Sequence, residues 1–200
     1  MKHILSVSLF LMVVASGVCG QTGTKETKSP KEVVEAFWKL ETEGGRLTPE
    51  GWHNAGSFFV RPSPPPQKKT IAVISGKYKY SVDERWVKGN QAEIANGYVD
   101  LGRIDSDLHY SPPDSRFYDN KTAVLYHLVL TDRHWEIGPD GITEREVSGP
   151  LAWRIEKPEP ILWITVDTAI RFVKGVGEKT TDPIIKKNAE QTLAKLMALR

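Results

Sequence analysis

Residues 29–38 read SPKEVVEAFW and combine a helix start with the first apolar stripe of the chain. Ser29 is a helix-capping residue, Pro30 suits the first helical position, and Glu32 completes a capping box. Apolar side chains then recur at helical spacing, at Val33, Val34, Phe37 and Trp38. The pattern predicts a helix that the glycines at positions 44 and 45 terminate.

A second helix start follows closely, because residues 48–50 read TPE and place a capping threonine before a proline. One face of the short helix that they open carries Trp52, Ala55, Gly56 and Phe59. Residues 62–66 read PSPPP, and this proline run predicts an extended break that no helix crosses.

The middle of the chain has the composition and alternation of strands. Strand-like segments cover residues 71–74, 77–88, 93–102, 121–131 and 151–156, with a hairpin-type turn at Gly89-Asn90. Residues 105–120 hold two prolines and many turn residues, and predict a loop. Residues 138–141 read GPDG and mark a turn-rich crossing before the last strand.

Two helices close the chain. Thr165 or Asp167 caps a helix that ends near residues 175–177, and Asp182 with Pro183 starts the terminal helix. We therefore expect an α+β fold, in which N-terminal helices cover a curved antiparallel sheet and two additional helices follow. Residues 29–200 form a single domain in this prediction.

The first twenty residues have the layout of a signal peptide. Lys2 precedes an apolar run over residues 4–15, and small residues follow at Ser16, Gly17 and Gly20. We predict cleavage after Gly20 and a secreted or periplasmic protein, with residues 21–28 as a disordered leader.

Cys19 is the single cysteine of the chain. Cleavage after Gly20 removes it, so that no disulfide can stabilise the remainder. The alternative is a lipid anchor at Cys19, which Val18 and Ser16 fit poorly, because such signals normally carry a small residue just before the cysteine and a Leu-like residue three positions before it.

Charge and hydropathy exclude two classes of partner. Loss of Lys2 with the signal leaves 26 Lys and Arg residues against 25 Asp and Glu residues, without long single-sign blocks. This pattern predicts no nucleic-acid binding. The apolar run at 160–166 is far shorter than the roughly 20 residues that span a bilayer, so we expect no membrane span.

The order of a capped helix, a short helix, a proline break and long strands resembles the nuclear transport factor 2-like cone, also called the cystatin-like α+β fold. SPKEVVEAFW at 29–38 and LAWRIE at 151–156 carry the resemblance, which covers about two thirds of the chain after residue 20. It implies opening helices over the concave face, a late Trp-containing strand in the sheet centre, and a pocket. The family contains ketosteroid isomerases, polyketide cyclases, dehydratases and non-catalytic binders, while the two C-terminal helices exceed its minimal cone.

The candidate pocket residues come from two strands and one helix. A ketosteroid isomerase uses a carboxylate base with oxyanion-stabilising tyrosine and carboxylic acid groups. Tyr98 and Asp100 fall on the same strand face, and Tyr126 can join them from the next strand. The alternative for Asp100, two residues before Gly102, is a solvent-facing strand end.

Histidines supply the remaining candidates. His127 lies within an apolar strand and is either a general base or pocket hydrogen-bonder, or a half-buried structural residue. His53, beside Trp52, has the same two interpretations. His53, His109, His127 and His134 form no closely spaced ligand pair, so we predict neither a metal site nor a cofactor.

The strand over 121–131 is apolar on both faces. One face carries Val124, Tyr126, Leu128 and Leu130, and the other Leu125, His127 and Val129. The second face either forms a homodimer or lies under the C-terminal helices. Of the tryptophans, we expect Trp38, Trp52 and Trp153 to pack in the core, and Trp86, Trp135 and Trp163 to be partly exposed.

These observations predict a secreted or periplasmic domain that binds a small apolar or aromatic ligand, or a protein partner, in an aromatic-lined cavity. One alternative is an isomerase or dehydratase-like enzyme with Asp100 or His127 as base and a tyrosine as donor. Another is a structural envelope protein that dimerises through its sheet.

Overall fold

A computed structural model describes residues 27–63, 70–74, 82–113, 121–138 and 143–200. The predicted signal peptide at 1–20 and most of the predicted leader at 21–28 lie outside the described residues, as do the prolines at 64–66, residues 77–81 of the second predicted strand, and residues 139–141 of the predicted turn.

The described residues form an α+β fold with four α-helices and a curved sheet of seven strands, which confirms the predicted class. The helices are α1 (Pro30–Thr42), α2 (Pro49–Ala55), α3 (Val166–Lys179) and α4 (Pro183–Ala198), and a 3-10 helix spans Gly56–Phe58. The strands are β1 (Thr70–Ile74), β2 (Val82–Lys88), β3 (Gln91–Ile104), β4 (Tyr110–Ser111), β5 (Lys121–Ile137), β6 (Glu144–Ile155) and β7 (Ile161–Thr165).

The helix starts follow the predicted local chemistry. The Ser29 hydroxyl accepts from the Glu32 amide at 3.3 Å, while the Glu32 carboxylate accepts from the Ser29 amide at 2.7 Å, which completes the capping box. Thr48, Thr165 and Asp182 cap the other three helices. These side chains satisfy amide groups that a helix N-terminus otherwise leaves unpaired.

The α3 helix is longer than predicted, because it continues through Gly175 and Gly177 to Lys179. A Cβ atom at Gly177 would lie 2.8 Å from the Cβ of Ala189 on α4. Gly177 therefore allows α3 and α4 to approach closely, and this packing keeps the glycines within the helix instead of at its end.

The sheet has the strand order β6-β5-β3-β1-β7, and both β2 and β4 pair with β3. All pairs are antiparallel except β1 with β7, which is parallel. The prediction of a purely antiparallel sheet is therefore incomplete, because β7 was treated only as a short apolar run. The late Trp-containing strand, β6, ends the strand order and does not lie at the sheet centre.

Strands β1 and β7 separate two hydrophobic cores, because their side chains alternate between the two faces of the sheet. Ala72 and Trp163 contribute to the first core with α1, whereas Ile71, Val73, Leu162 and Ile164 contribute to the second core with α3 and α4. The expectation that Trp163 is partly exposed is wrong, since it is 3% exposed. Its position between α1 and β3 buries it, beside Trp38 and Tyr98.

Different helices cover the two faces of the sheet. Helix α1 contacts β2, β3, β6 and β7 and buries Tyr126 and Leu128 of β5. On the opposite face the C-terminal helices pack against β1 and β7, but Leu125 of β5 remains 47% exposed. The C-terminal helices thus cover only part of the second face.

A buried ion pair joins the end of α1 to the segment that follows it. The Arg46 guanidinium donates to both carboxylate oxygens of Glu41 at 2.7 Å, and each side chain is 1% exposed. Arg46 also donates to the carbonyl oxygens of Glu159 and Ile161, while Glu41 accepts from the Trp163 amide at 3.1 Å. The pair therefore anchors β7 to α1.

We predict that Glu41→Gln strongly destabilises the protein, because it leaves the Arg46 charge buried without a counter-charge. Loss of one partner of a buried pair costs about 3–5 kcal/mol in free energy of unfolding. The matched control is Glu35→Gln, at an exposed position of the same helix, where we expect a change within about 0.5 kcal/mol. Urea unfolding measures both variants, and equal free energies of unfolding would contradict the proposed role of the pair.

Candidate functional site

A cleft of about 330 Å³ opens between α2 and the far end of the β5–β6 hairpin. We call it the α2–β5 cleft. One wall comes from α2 and the residues after it, and consists of Trp52, His53, Asn54, Gly56, Ser57 and Pro62. The other wall comes from β5 and consists of His134, Trp135, Glu136 and Ile137. The cleft thus combines apolar surface with hydrogen-bonding groups.

Backbone hydrogen bonds hold the two walls together. The Val60 amide donates to the Ile155 carbonyl at 2.8 Å, and the Trp135 amide donates to the Val60 carbonyl at 2.7 Å. Phe59 and Ile155 also form a parallel bridge. The segment after the 3-10 helix therefore connects β6 to β5 and fixes the distance between the walls.

Each tryptophan of the cleft has an arginine on its ring. The Arg46 guanidinium lies 4.7 Å from the ring centroid of Trp52, whose Nε1 donates to the Ser63 carbonyl. The Arg61 guanidinium lies 4.9 Å from the ring centroid of Trp135. These contacts restrict the orientation of both indole rings and make the aromatic surface of the cleft rigid.

His134 is the most buried titratable group of the cleft, with 13% of its side chain exposed. Its Nδ1 atom is buried without a hydrogen-bond partner, and its Nε2 atom lies 3.6 Å from the Glu136 carboxylate. Burial and the nearby positive charge of Arg154 lower the pKa of His134, although Glu136 opposes this shift. The imidazole is therefore neutral at neutral pH.

Arg154 lies behind the α2 wall. Its Nη1 donates to the carbonyl oxygen of Ser57, while its Nε is buried without a partner. Burial lowers the pKa of Arg154, and the negative charge of Glu136 acts in the opposite direction. Glu136 itself pairs with Arg145 at 2.9 Å, and this ion pair lowers the pKa of Glu136.

The predicted pocket residues do not come together in one cavity. Of the five candidates, His53 lines the α2–β5 cleft. Tyr98 is buried against Trp38 and Trp163 in the first core. Asp100 is also buried, but its carboxylate accepts from the Gly102 amide at 2.9 Å and from Arg103 at 3.1 Å. The expected solvent-facing alternative for Asp100 is wrong, since it is 8% exposed and stabilises a strand irregularity at Gly102.

Tyr126 and His127 lie on opposite faces of β5. Tyr126 is 2% exposed and packs edge-on against Phe37, and burial raises the pKa of its phenol well above the usual range. The His127 side chain is 55% exposed, with Nδ1 at 3.7 Å from the Glu93 carboxylate. Both residues border a cavity of about 180 Å³ where β6 ends, but their side chains leave β5 on opposite faces.

Sequence reasoning missed His134 and Trp135 as site residues, because the predicted strand ended at residue 131. The pairing of β5 with β6 shifts register between Thr131 and Arg133, and β5 continues to Ile137. Such a bulge interrupts the alternation on which a strand prediction depends. The adjacent residues His134 and Trp135, just beyond this register shift, were the sequence feature that could have indicated the cleft.

The described residues contain neither a candidate metal site nor a candidate membrane-spanning helix. Within them, no three His, Cys, Asp or Glu side chains are grouped so that they could hold a metal ion. No helix in the same segments is long and apolar enough to cross a membrane.

Comparisons of the chain with known protein families, with curated proteins and with solved structures find no match. What the α2–β5 cleft can bind therefore has to follow from its own geometry and chemistry.

We predict that His134 makes stability depend on pH. The unfolded chain has the ordinary histidine pKa of 6.5, whereas the pKa of His134 is lower in the folded protein. As the pH falls below 6.5 the unfolded state takes up the proton first, so the free energy of unfolding decreases until the folded pKa is reached. Urea unfolding at several pH values measures this decrease.

The control for this pH dependence is the exposed histidine of the opposite wall. His134→Gln removes the titrating group and should flatten the decrease, while His53→Gln should keep it. Parallel pH curves for the wild type and His134→Gln would show that His134 does not cause the effect.

Proposed function

We propose that this chain is a small-ligand-binding domain whose site is the α2–β5 cleft. The observation that carries the proposal is the lining of the cleft, which combines two tryptophans with His134, His53 and Asn54. Its volume of about 330 Å³ falls in the range of roughly 300–1,000 Å³ that small-molecule sites occupy. Apolar walls with few polar groups are also typical of such sites.

The ligand that this lining favours is flat and partly apolar. Trp135 and Ile137 offer partly exposed apolar surface, whereas Trp52 and Pro62 are largely buried in their wall, and the polar groups can fix orientation by hydrogen bonds. Because Arg46 and Arg61 already hold the two indole rings, the binding surface is preorganised, which reduces the entropy lost on binding.

Non-covalent binding is favoured over acid–base chemistry at the predicted residues. Both carboxylate oxygens of Asp100 are engaged by Gly102 and Arg103. His127 lies on the face of β5 opposite to Tyr126, and the Tyr110 hydroxyl, which feels the charge of Asp100, donates its hydrogen bond to the Leu101 carbonyl. A general acid–base pair requires groups within hydrogen-bond reach of the same reacting atom.

The proposal includes kinship with the nuclear transport factor 2-like fold. The packing of α1 across the sheet supports it. The parallel strand β7 and the position of β6 at the end of the sheet are departures from that fold.

The proposed cleft can be tested with a variant that fills it. Asn54→Trp adds bulk at an exposed position of the α2 wall, and Gln191→Trp adds the same bulk at an exposed position of α4. Ligand-observed NMR with aromatic alcohols, amides, carboxylates and monosaccharides should identify compounds that bind the wild type. We expect Asn54→Trp to weaken their binding at least about tenfold, and Gln191→Trp to leave it unchanged. Compounds that bind Asn54→Trp as well as the wild type would overturn this location.

We also propose that the protein is exported and cleaved after Gly20. Expression with residues 1–20 in a bacterial host should give an extracytoplasmic protein whose intact mass corresponds to a start at Gln21. Cys19→Ser should then leave the location unchanged. Release from the membrane only in Cys19→Ser would instead identify the lipid-anchored alternative.

A further inference from the structure

Arg154 carries a buried positive charge for which the described residues provide no carboxylate partner. The residue is 8% exposed, and within the described part of the chain its side chain has one hydrogen bond, to the neutral carbonyl of Ser57. No carboxylate of the described residues lies within 4.0 Å of its guanidinium nitrogens. Buried charges in proteins are normally paired, because desolvation of an isolated charge is costly.

The acidic groups near the cleft already have other partners. Glu136 pairs with Arg145 at 2.9 Å, and Glu144 pairs with Arg61 at 2.7 Å. Both arginines are exposed, so they neutralise these carboxylates at the surface of the hairpin. Among the described residues, the charge of Arg154 is therefore compensated only in part, by the more distant carboxylate of Glu136 that Arg145 also engages.

Two residues that line the cleft interact with the charge of Arg154. Ser57 lines the cleft and accepts the Arg154 hydrogen bond through its carbonyl. His134 lines the opposite wall and responds to the Arg154 charge, which disfavours its protonated form. An electrostatic potential of this kind is strong where burial keeps water away.

We propose that the α2–β5 cleft binds an aromatic monocarboxylate, whose negative charge compensates Arg154 and whose ring lies against the tryptophans. This inference rests on the proposed function and adds the ligand class. The ring requirement follows from Trp52 and Trp135, and the single charge follows from the buried guanidinium of Arg154, whose Nε has no hydrogen-bond partner and which has no carboxylate of the described residues within 4.0 Å. His134, Ser57 and Asn54 can contribute hydrogen bonds to the carboxylate.

Two probes of almost identical shape separate charge from shape. 1-Naphthylacetate carries the carboxylate, and 1-naphthylacetamide replaces it with a neutral amide. We expect calorimetry at pH 7.5 and low salt to show at least tenfold tighter binding of the carboxylate by the wild type. Since His134 is neutral at that pH, the preference reports the charge of Arg154. Added salt should reduce the preference.

Variants then assign the preference to Arg154. Arg154→Met should bind both probes with similar affinity, and Arg154→Lys should retain a preference for the carboxylate. The matched control is Arg85→Met, an exposed arginine of β2, which should behave like the wild type. If Arg154→Met does not fold, Arg154→Gln, which removes the charge and keeps hydrogen-bond donors, gives the same test.

The outcomes separate this inference from the proposed function. Equal or tighter binding of the amide by the wild type overturns the ligand class, while the cleft remains a ligand site. Failure of both probes overturns the ligand class as well, and the screen with Asn54→Trp then decides about the cleft itself. A carboxylate preference that survives in folded Arg154→Met would overturn the role of Arg154.

Discussion

The buried ion pair between Glu41 and Arg46 connects the end of α1 to β7 and to the α2 wall of the cleft. Through Arg46 it holds the carbonyls of Glu159 and Ile161 and lies against the rings of Phe37 and Trp52. Through Glu41 it holds the amide of Trp163. One pair of side chains therefore fixes the end of α1, the start of β7 and the tryptophan of the α2 wall. Compared with a well-packed apolar replacement, a buried ion pair adds little net stability. It does, however, require its two charged groups to keep one defined arrangement.

The α2–β5 cleft depends on this geometry and on the long β5–β6 hairpin. The ion pair positions Trp52, while the hydrogen bonds of Val60 connect the segment after α2 to β6 and β5. The register shift after Thr131 lets the hairpin continue beyond the covered part of the sheet. The cleft forms where this extension meets α2, and so neither wall is complete without the other.

The charges near the cleft are arranged in two layers. Exposed arginines neutralise the carboxylates of Glu136 and Glu144 at the surface. Deeper in the structure, Arg46 is neutralised by Glu41, whereas the Arg154 side chain donates to a neutral carbonyl and has no carboxylate of the described residues within 4.0 Å. The interior behind the cleft therefore differs in potential from its rim, although the whole chain has a formal net charge of only +2. Composition averages over this separation of charges and gives no indication of it.

The capping residues at Ser29, Thr48 and Asp182 act on amides within three residues, so the amino-acid sequence alone determined where these helices begin and the α+β class that follows. It also singled out His53, which lines the α2–β5 cleft. The parallel strand β7, the burial of Trp163 and the environment of His134 were decided by tertiary structure. Trp163 is buried by Glu41, Trp38 and β1, and His134 is desolvated beside Arg154, all of which are distant in the chain. Local patterns report short-range hydrogen bonds, whereas a cleft and its charges arise only when remote segments exclude water together.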